Sequence, residues 1–187
     1  MIRTPGESRR VILVTGSSSG IGKACCERLA MDPHNRVYGA SRSATSGAGW
    51  TSLCMDATDD ASVASVVDEI VAREGRLDAV VHSAGNSLAG PIEDTTIAEA
   101  QEQFDTNYFG SVRVLRAVLP VMRRQNGGQI YLLGSIGGLI ALPYLAHYSA
   151  SKFALDGLVE ALRGEIEPFG IEATVIHPGD LRTAFGS

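Results

Sequence analysis

Val11-Ile12-Leu13-Val14-Thr15-Gly16-Ser17-Ser18-Ser19-Gly20-Ile21-Gly22 decides how this chain is read. Its first four residues form an unbroken apolar run, the pattern of a strand buried on both faces. Small residues follow at once, and Lys23-Ala24-Cys25-Cys26-Glu27-Arg28-Leu29-Ala30 then reads as a helix. A buried strand, a glycine-rich turn and a helix N-terminus together make a phosphate cradle. Glycine lets the backbone approach a ligand, and the free N–H groups of the first turn favour an anion. The spacing here is G-x-x-x-G-x-G, which the usual G-x-G-x-x-G fingerprint would miss. An ordinary strand-to-helix turn rich in small residues is the competing reading.

The alternation continues outward. Residues 36–40 read as a second strand ending at Ser41-Arg42. The group that discriminates the 2′-position of a dinucleotide stands about 20 residues past the glycines. An acid there would bond the ribose of NAD; a hydroxyl and a guanidinium suit the 2′-phosphate of NADP, so NADP is expected in preference to NAD. An exposed loop arginine is the plainer alternative. Residues 50–55 read as the third strand, followed by Asp56-Ala57, and Asp56 is either a turn residue or an adenine contact. Asp59 and Asp60 can cap a helix over residues 61–73, whose Val63, Val66, Val67 and Ile70 make one apolar stripe. Residues 77–82 are the fourth strand, with Ser83-Ala84-Gly85 as its turn.

A helix is expected from near Ile97 to about Gln125, with a bend at Pro120. Asn107 lies inside it. Asparagine is a poor helix-interior residue, so it either faces solvent or, if buried, needs partners such as a local kink or an ordered water. Residues 129–133 form the fifth strand, and Ser135 sits at its C-terminal end, where open α/β sheets bind ligands. A turn serine would look the same. A last helix runs from Tyr148 to about Glu167, with Phe153, Leu158, Val159, Leu162 and Ile166 on its apolar side. Residues 172–177 form a sixth strand before Pro178-Gly179. The pattern predicts an α/β fold over residues 1–187 as one domain: a doubly wound, Rossmann-like parallel sheet in three α/β/α layers.

Composition narrows the function. With 187 residues, 44% hydrophobic and 20% charged, the chain is long enough for a substantial core. A net charge of −5 gives no basic surface for nucleic acid. No apolar run reaches the roughly 18 residues of a membrane span. The polar first ten residues do not read as a secretory signal. Cys25, Cys26 and Cys54 suit neither a disulfide framework nor a zinc site, and read as reduced thiols of a cytoplasmic protein. His82, His147 and His177 are not at metal-ligand spacings and read as packing or surface residues.

Tyr148 and Lys152 stand at i and i+4, on one helix face. A phenol ordinarily titrates near pH 10 and transfers protons poorly at neutrality; a neighbouring ammonium favours its phenolate. Such pairs also pack along helices with no chemical role.

Taken jointly, T-G-x-x-x-G-x-G at Thr15 to Gly22, Asn107, Ser135, Y-x-x-x-K at Tyr148 to Lys152 and Pro178-Gly179 give a chain that resembles the short-chain dehydrogenase/reductase family. The resemblance runs from Val11 to the end. Gly137-Gly138-Leu139, Ser151-Lys152-Phe153-Ala154-Leu155 and Pro168-Phe169-Gly170 are similar to its estradiol 17β-dehydrogenase and retinol dehydrogenase branch. The resemblance implies an NADP-dependent oxidoreductase interconverting an alcohol and a ketone or aldehyde of a small-molecule substrate; the apolar run Leu139-Ile140-Ala141-Leu142 suits a hydrophobic substrate and core packing equally. It implies that Tyr148 is the general acid or base, and that Lys152 binds the nicotinamide ribose and favours the Tyr148 phenolate. Ser135 would bond the substrate oxygen, and Asn107 would hold a water linking Lys152 to solvent. Gly16, Gly20 and Gly22 would bind the pyrophosphate, Ser41 and Arg42 the 2′-phosphate, and Asp56 the adenine. Ser17, Ser18, Ile21, Ala57, Ala84 and Gly85 would be further cofactor contacts, and Pro178, Gly179 and Thr183 would line the nicotinamide pocket. A homo-oligomer is implied, paired through the helices that contain Asn107 and Tyr148.

The chain departs from the family in two places. His82-Ser83-Ala84-Gly85 stands where members usually carry Asn-Asn-Ala-Gly, and a serine supplies only part of an asparagine's bonding. The sequence also stops at Ser187, before the family's substrate-covering loop, further helix and seventh strand. A C-terminally truncated fold with the sixth strand at an edge is therefore expected, as is a second reading: a non-catalytic NADP-binding or assembly subunit. A purely structural Rossmann-like domain is the third.

Overall fold

β1 (Arg10–Thr15) lies inside the sheet because both of its faces are apolar. Ile12 and Val14 pack with Cys26, Val37, Trp50 and Ala79, while Val11 and Leu13 enter the larger core on the other face. The computed structural model of the chain describes residues 9–43, 47 and 49–181. β2 (Asn35–Ser41), β3 (Thr51–Cys54), β4 (Ala79–His82), β5 (Gly128–Leu133) and β6 (Ile171–Ile176) join β1 in the order β3-β2-β1-β4-β5-β6. Every pairing is parallel. This is the doubly wound Rossmann order, and the reversal of winding lies between β1 and β4. Among the described residues, β6 is an edge strand, as expected.

α1 (Gly20–Ala30) covers one face with Cys26 buried beneath it. α2 (Asp60–Glu74), α4 (Gly110–Arg124) and α5 (Ala146–Ile166) contribute to the core on the other. The stripe of α2 is as expected: Val63, Val66, Val67 and Ile70 are all buried. Asp59 caps this helix by accepting the Ala61 N–H at 2.9 Å, whereas Asp60 is already in the first turn. Left-handed Gly75 ends it.

Two expectations need correction. The segment from Ile97 to about Gln125 is not one regular helix. α3 (Ile97–Phe104) passes into a five-residue π-turn, Asp105–Phe109, before α4 begins. Asn107 lies within that turn and is buried. Pro120 is accommodated within α4. On α5 the buried stripe is Tyr148, Lys152, Leu155, Val159, Leu162 and Ile166, and Phe153 is 44% exposed. One residue past Lys152, Phe153 points about 100° away from the core.

Candidate active site

The turns after the strands' C-terminal ends converge on a cleft of about 870 Å³. Its first wall is the glycine turn. Gly16 and Gly20 have φ of +68° and +52°, a region disfavoured for other residues. Gly22 is needed for closeness: a Cβ there would stand 2.3 Å from the Gly16 carbonyl oxygen and 2.5 Å from Ser83 Oγ. The N-cap residue Ser19 makes no side-chain bond to the first turn of α1, and Ser18, Gly20, Ile21 and Gly22 line the cleft. Ser17 does not. It is fully buried, its N–H donates to the Ala40 carbonyl at 3.3 Å and its hydroxyl to Ser41 Oγ at 3.5 Å. Its place is inside the turn, joining β1 to β2.

Ser41, Arg42, Asp56 and Ala57 form the second wall. Ser41 Oγ donates to the Ser43 carbonyl at 2.7 Å. Asp56 is a turn residue: its Oδ1 accepts both the Thr58 N–H (2.9 Å) and the Thr58 hydroxyl (2.7 Å). Those two bonds hold its carboxyl below the ordinary carboxylate range. It also borders the cleft.

The third wall holds the reactive candidates. Ser135, Tyr148, Lys152, Ala84, Gly85, Pro178 and Gly179 all line the cleft. Ser135 follows β5 and its Oγ accepts the Gly137 N–H at 3.0 Å, which leaves its O–H to donate. A Cβ on Gly137 would lie 3.3 Å from the Tyr148 ring and 3.4 Å from Ser135 Oγ, so the two flank one spot. Lys152 is 5% exposed. Its Nζ donates to the Leu133 carbonyl at 2.7 Å and lies 5.8 Å from the centre of the Tyr148 ring. Burial pushes this ammonium down from 10.5 to about 8. Thr183 lies outside the described residues.

Residues 10–187 match the family model for short chain dehydrogenases. The chain belongs to the short-chain dehydrogenase family. A 3-ketodihydrosphingosine reductase of Bacteroides thetaiotaomicron is 41% identical over 177 residues, 94% of this chain and 65% of that protein. Human 17-beta-hydroxysteroid dehydrogenase type 1 is 39% identical over 194 residues, 95% of this chain and 58% of that protein. The chain thus spans less than two thirds of the length of these two relatives. Among solved structures, that of ElxO with NADP bound superposes with a TM-score of 0.87 at 28% identity, over 94% of this chain and 75% of the other.

Within this short-chain dehydrogenase fold, Asn107 is buried and does not line the cleft. Its Oδ1 accepts the Asn86 N–H at 2.9 Å, and its Nδ2 donates to the Asn86 carbonyl at 3.0 Å and to Ser151 Oγ at 3.1 Å. With the side-chain amide so engaged, Asn107 positions the loop after β4 and the helix of Tyr148. Gln103 is a second anchor that the sequence did not disclose. Also buried, it receives the Leu88 N–H and donates to the Asn86 carbonyl at 2.9 Å. Nothing in a glutamine on a polar helix marks it in advance. The departure after β4 is resolved by division of labour. Ser83 Oγ donates to the Thr15 carbonyl at 2.6 Å, and buried His82 places Nδ1 2.7 Å from Thr15 Oγ1. Burial first, and the Lys152 charge second, push His82 down to about 3, so it is a neutral packing residue.

Proposed function

We propose that this chain is an NADP-dependent oxidoreductase that interconverts an alcohol and a ketone or aldehyde. The observation that carries this is the meeting of Ser135, Tyr148 and Lys152 with the glycine turn in one cleft. The residues present fit the cofactor. Gly16 and Gly22 admit no side chain because Ser83, Ala84 and the Gly16 carbonyl stand against them, which keeps the turn tight at the cleft, and Lys152 brings a buried cation to the other end. When bound, the nicotinamide supplies or accepts a hydride. The protein's part is position and a proton. Ser135 donates a hydrogen bond to the substrate oxygen, and Tyr148 gives that oxygen its proton or removes it in the reverse direction. Lys152 holds the ribose, with its Nζ 5.8 Å from the centre of the Tyr148 ring. Asn107 keeps α5 and the β4 turn in place.

NADP is preferred to NAD because Ser41 and Arg42 border the cleft where an acid would repel the 2′-phosphate, and a bound NADP in ElxO supports the same reading. A hydrophobic substrate is supported by exposed Ile136, Leu139, Ile140 and Tyr144 in the segment that follows Ser135, and by the sphingoid and steroid names of the relatives. Free cysteines favour a reducing, cytoplasmic setting, and exposed Phe109 and Phe153 favour pairing of copies through α4 and α5. Among the described residues no helix is long and apolar enough to cross a membrane. The test is a screen for NADPH oxidation with ketosteroids, retinal, sugars and acyl ketones. Tight NADPH binding without turnover of any carbonyl would overturn the enzymatic reading.

A further inference from the structure

His177 leaves the end of β6 one residue before Pro178. Its Nδ1 lies 3.0 Å from the Ser135 backbone oxygen, and its Nε2 lies 3.0 Å from Asp156 Oδ1 on α5. Both partners are acceptors, a carbonyl and a carboxylate. The ring serves both at once only with a proton on each nitrogen. The ring lies close against Gly134, where a Cβ would stand 2.9 Å from Nδ1 and 3.0 Å from Cε1. Backbone bonds hold the same segment: the Gly134 N–H donates to Ile176 O at 2.8 Å and the Ile136 N–H to Pro178 O at 3.0 Å.

We propose that His177 is a positioning residue, a charged bridge that locks the Ser135 turn to the helix carrying Tyr148 and Lys152. The inference rests on the function proposed above. Asp156 follows Lys152 by one helical turn on the same side of α5. Its side chain is 35% exposed; the second oxygen, Oδ2, is buried without a hydrogen-bond partner among the described residues, and Oδ1 is turned to His177. Ser135 is held by Gly137 at its hydroxyl, and by Gly138 (2.8 Å) and His177 at its carbonyl. The bridge sets the separation between the hydrogen-bond donor Ser135 and the proton carrier Tyr148, and it ties both to the Pro178-Gly179 wall. The other charges near it are committed or exposed. Lys152 is turned to the Leu133 carbonyl, and Glu160 on α5, Glu172 on β6 and Asp180 after Gly179 are exposed. Residues 133–135 carry no titratable group.

The experiment compares the wild-type chain with His177→Phe, His177→Asn and Asp156→Asn. His177→Asn keeps a donor near the Nδ1 position and loses only the link to Asp156. A misplacement of about 1 Å costs roughly 100-fold in rate, so kcat is expected to fall about 10- to 100-fold in His177→Phe and about tenfold in the other two. NADPH affinity is expected to stay within about threefold, because the bridge does not touch the glycine turn. Ring 15N shifts of His177 in the wild type near neutral pH are expected to show both nitrogens protonated. Amide exchange at Gly137 and Gly138 is expected to quicken about tenfold in Asp156→Asn, which also serves if His177→Phe fails to fold. A neutral ring, unchanged exchange, or an unchanged kcat in Asp156→Asn overturns the bridge. If the wild type reduces no carbonyl, the proposed function fails, while the ring signature and the exchange rates still decide the bridge.

Discussion

The two ends of the cleft are built from different materials. The glycine end is backbone: positive φ at Gly16 and Gly20, a close approach at Gly22 and a helix start. The serine–tyrosine end is made of buried polar side chains, Ser135, Tyr148 and Lys152, each kept in place by further groups. Backbone sites fail by steric exclusion when a side chain is added. Side-chain sites fail by loss of one atom while the shape survives. Substitutions at the two ends should therefore separate binding from chemistry.

The sharpest break is Tyr148→Phe. It deletes one oxygen at the reactive end and nothing at the glycine end. Proton transfer by a positioned group is worth about 10²- to 10⁴-fold, so kcat should fall by about 10³ while the NADPH dissociation constant moves little. Single-turnover absorbance of NADPH measures the first, and fluorescence titration the second. Retention of full activity would remove Tyr148 from the chemistry.

Gly22→Ala should do the reverse. The added methyl meets the Gly16 carbonyl at 2.3 Å, a backbone atom that cannot swing aside. Overpacking of this kind costs about 1–3 kcal/mol. Thermal unfolding should show that loss, and NADPH affinity should drop by about tenfold to 100-fold at a similar energy. An unchanged affinity would mean the turn does not hold the cofactor.

Arg42→Asp probes the glycine end's outer rim. A charge-assisted contact is worth about 1.5–3 kcal/mol, so the NADP/NAD preference should shift toward NAD by about tenfold or more. Kinetics with both cofactors read the ratio, and a constant ratio would take Arg42 out of the discrimination.

The difference in materials also explains what was legible beforehand. The parallel doubly wound sheet and its core came from local patterns, since Val11 to Val14 and the α2 stripe state their burial directly. The glycine turn was equally plain, because its requirement is local. The partners of Asn107 were not, for its role depends on a π-turn and on Asn86, 21 residues away. Gln103 and His177 were hidden for the same reason: their meaning lies in contacts with loops distant in the chain. The inward turn of Ser17 was hidden too, since a serine in a glycine-rich turn can face inward as well as out.

The smallest effect is in pH, and it has opposite signs in two measurements. Lys152 titrates near 8 in the folded chain against its ordinary 10.5 because burial disfavours the charge. Between those values the unfolded chain holds a proton that the folded one has released, so stability contributed by this group rises with pH across the window. Below about 8 both states are protonated and the full burial cost of the ammonium is present. NADPH affinity should move the other way. Losing the ammonium's charge as pH passes about 8 removes a charge-assisted contact, so binding should weaken by about threefold to tenfold by pH 9 to 9.5. Comparison with Lys152→Met isolates the group: the variant should lack both slopes, and its unfolding temperature relative to wild type should decline as pH rises from 7.5 to 9.5. Parallel slopes in wild type and variant would mean that the buried ammonium of Lys152 sets neither trend.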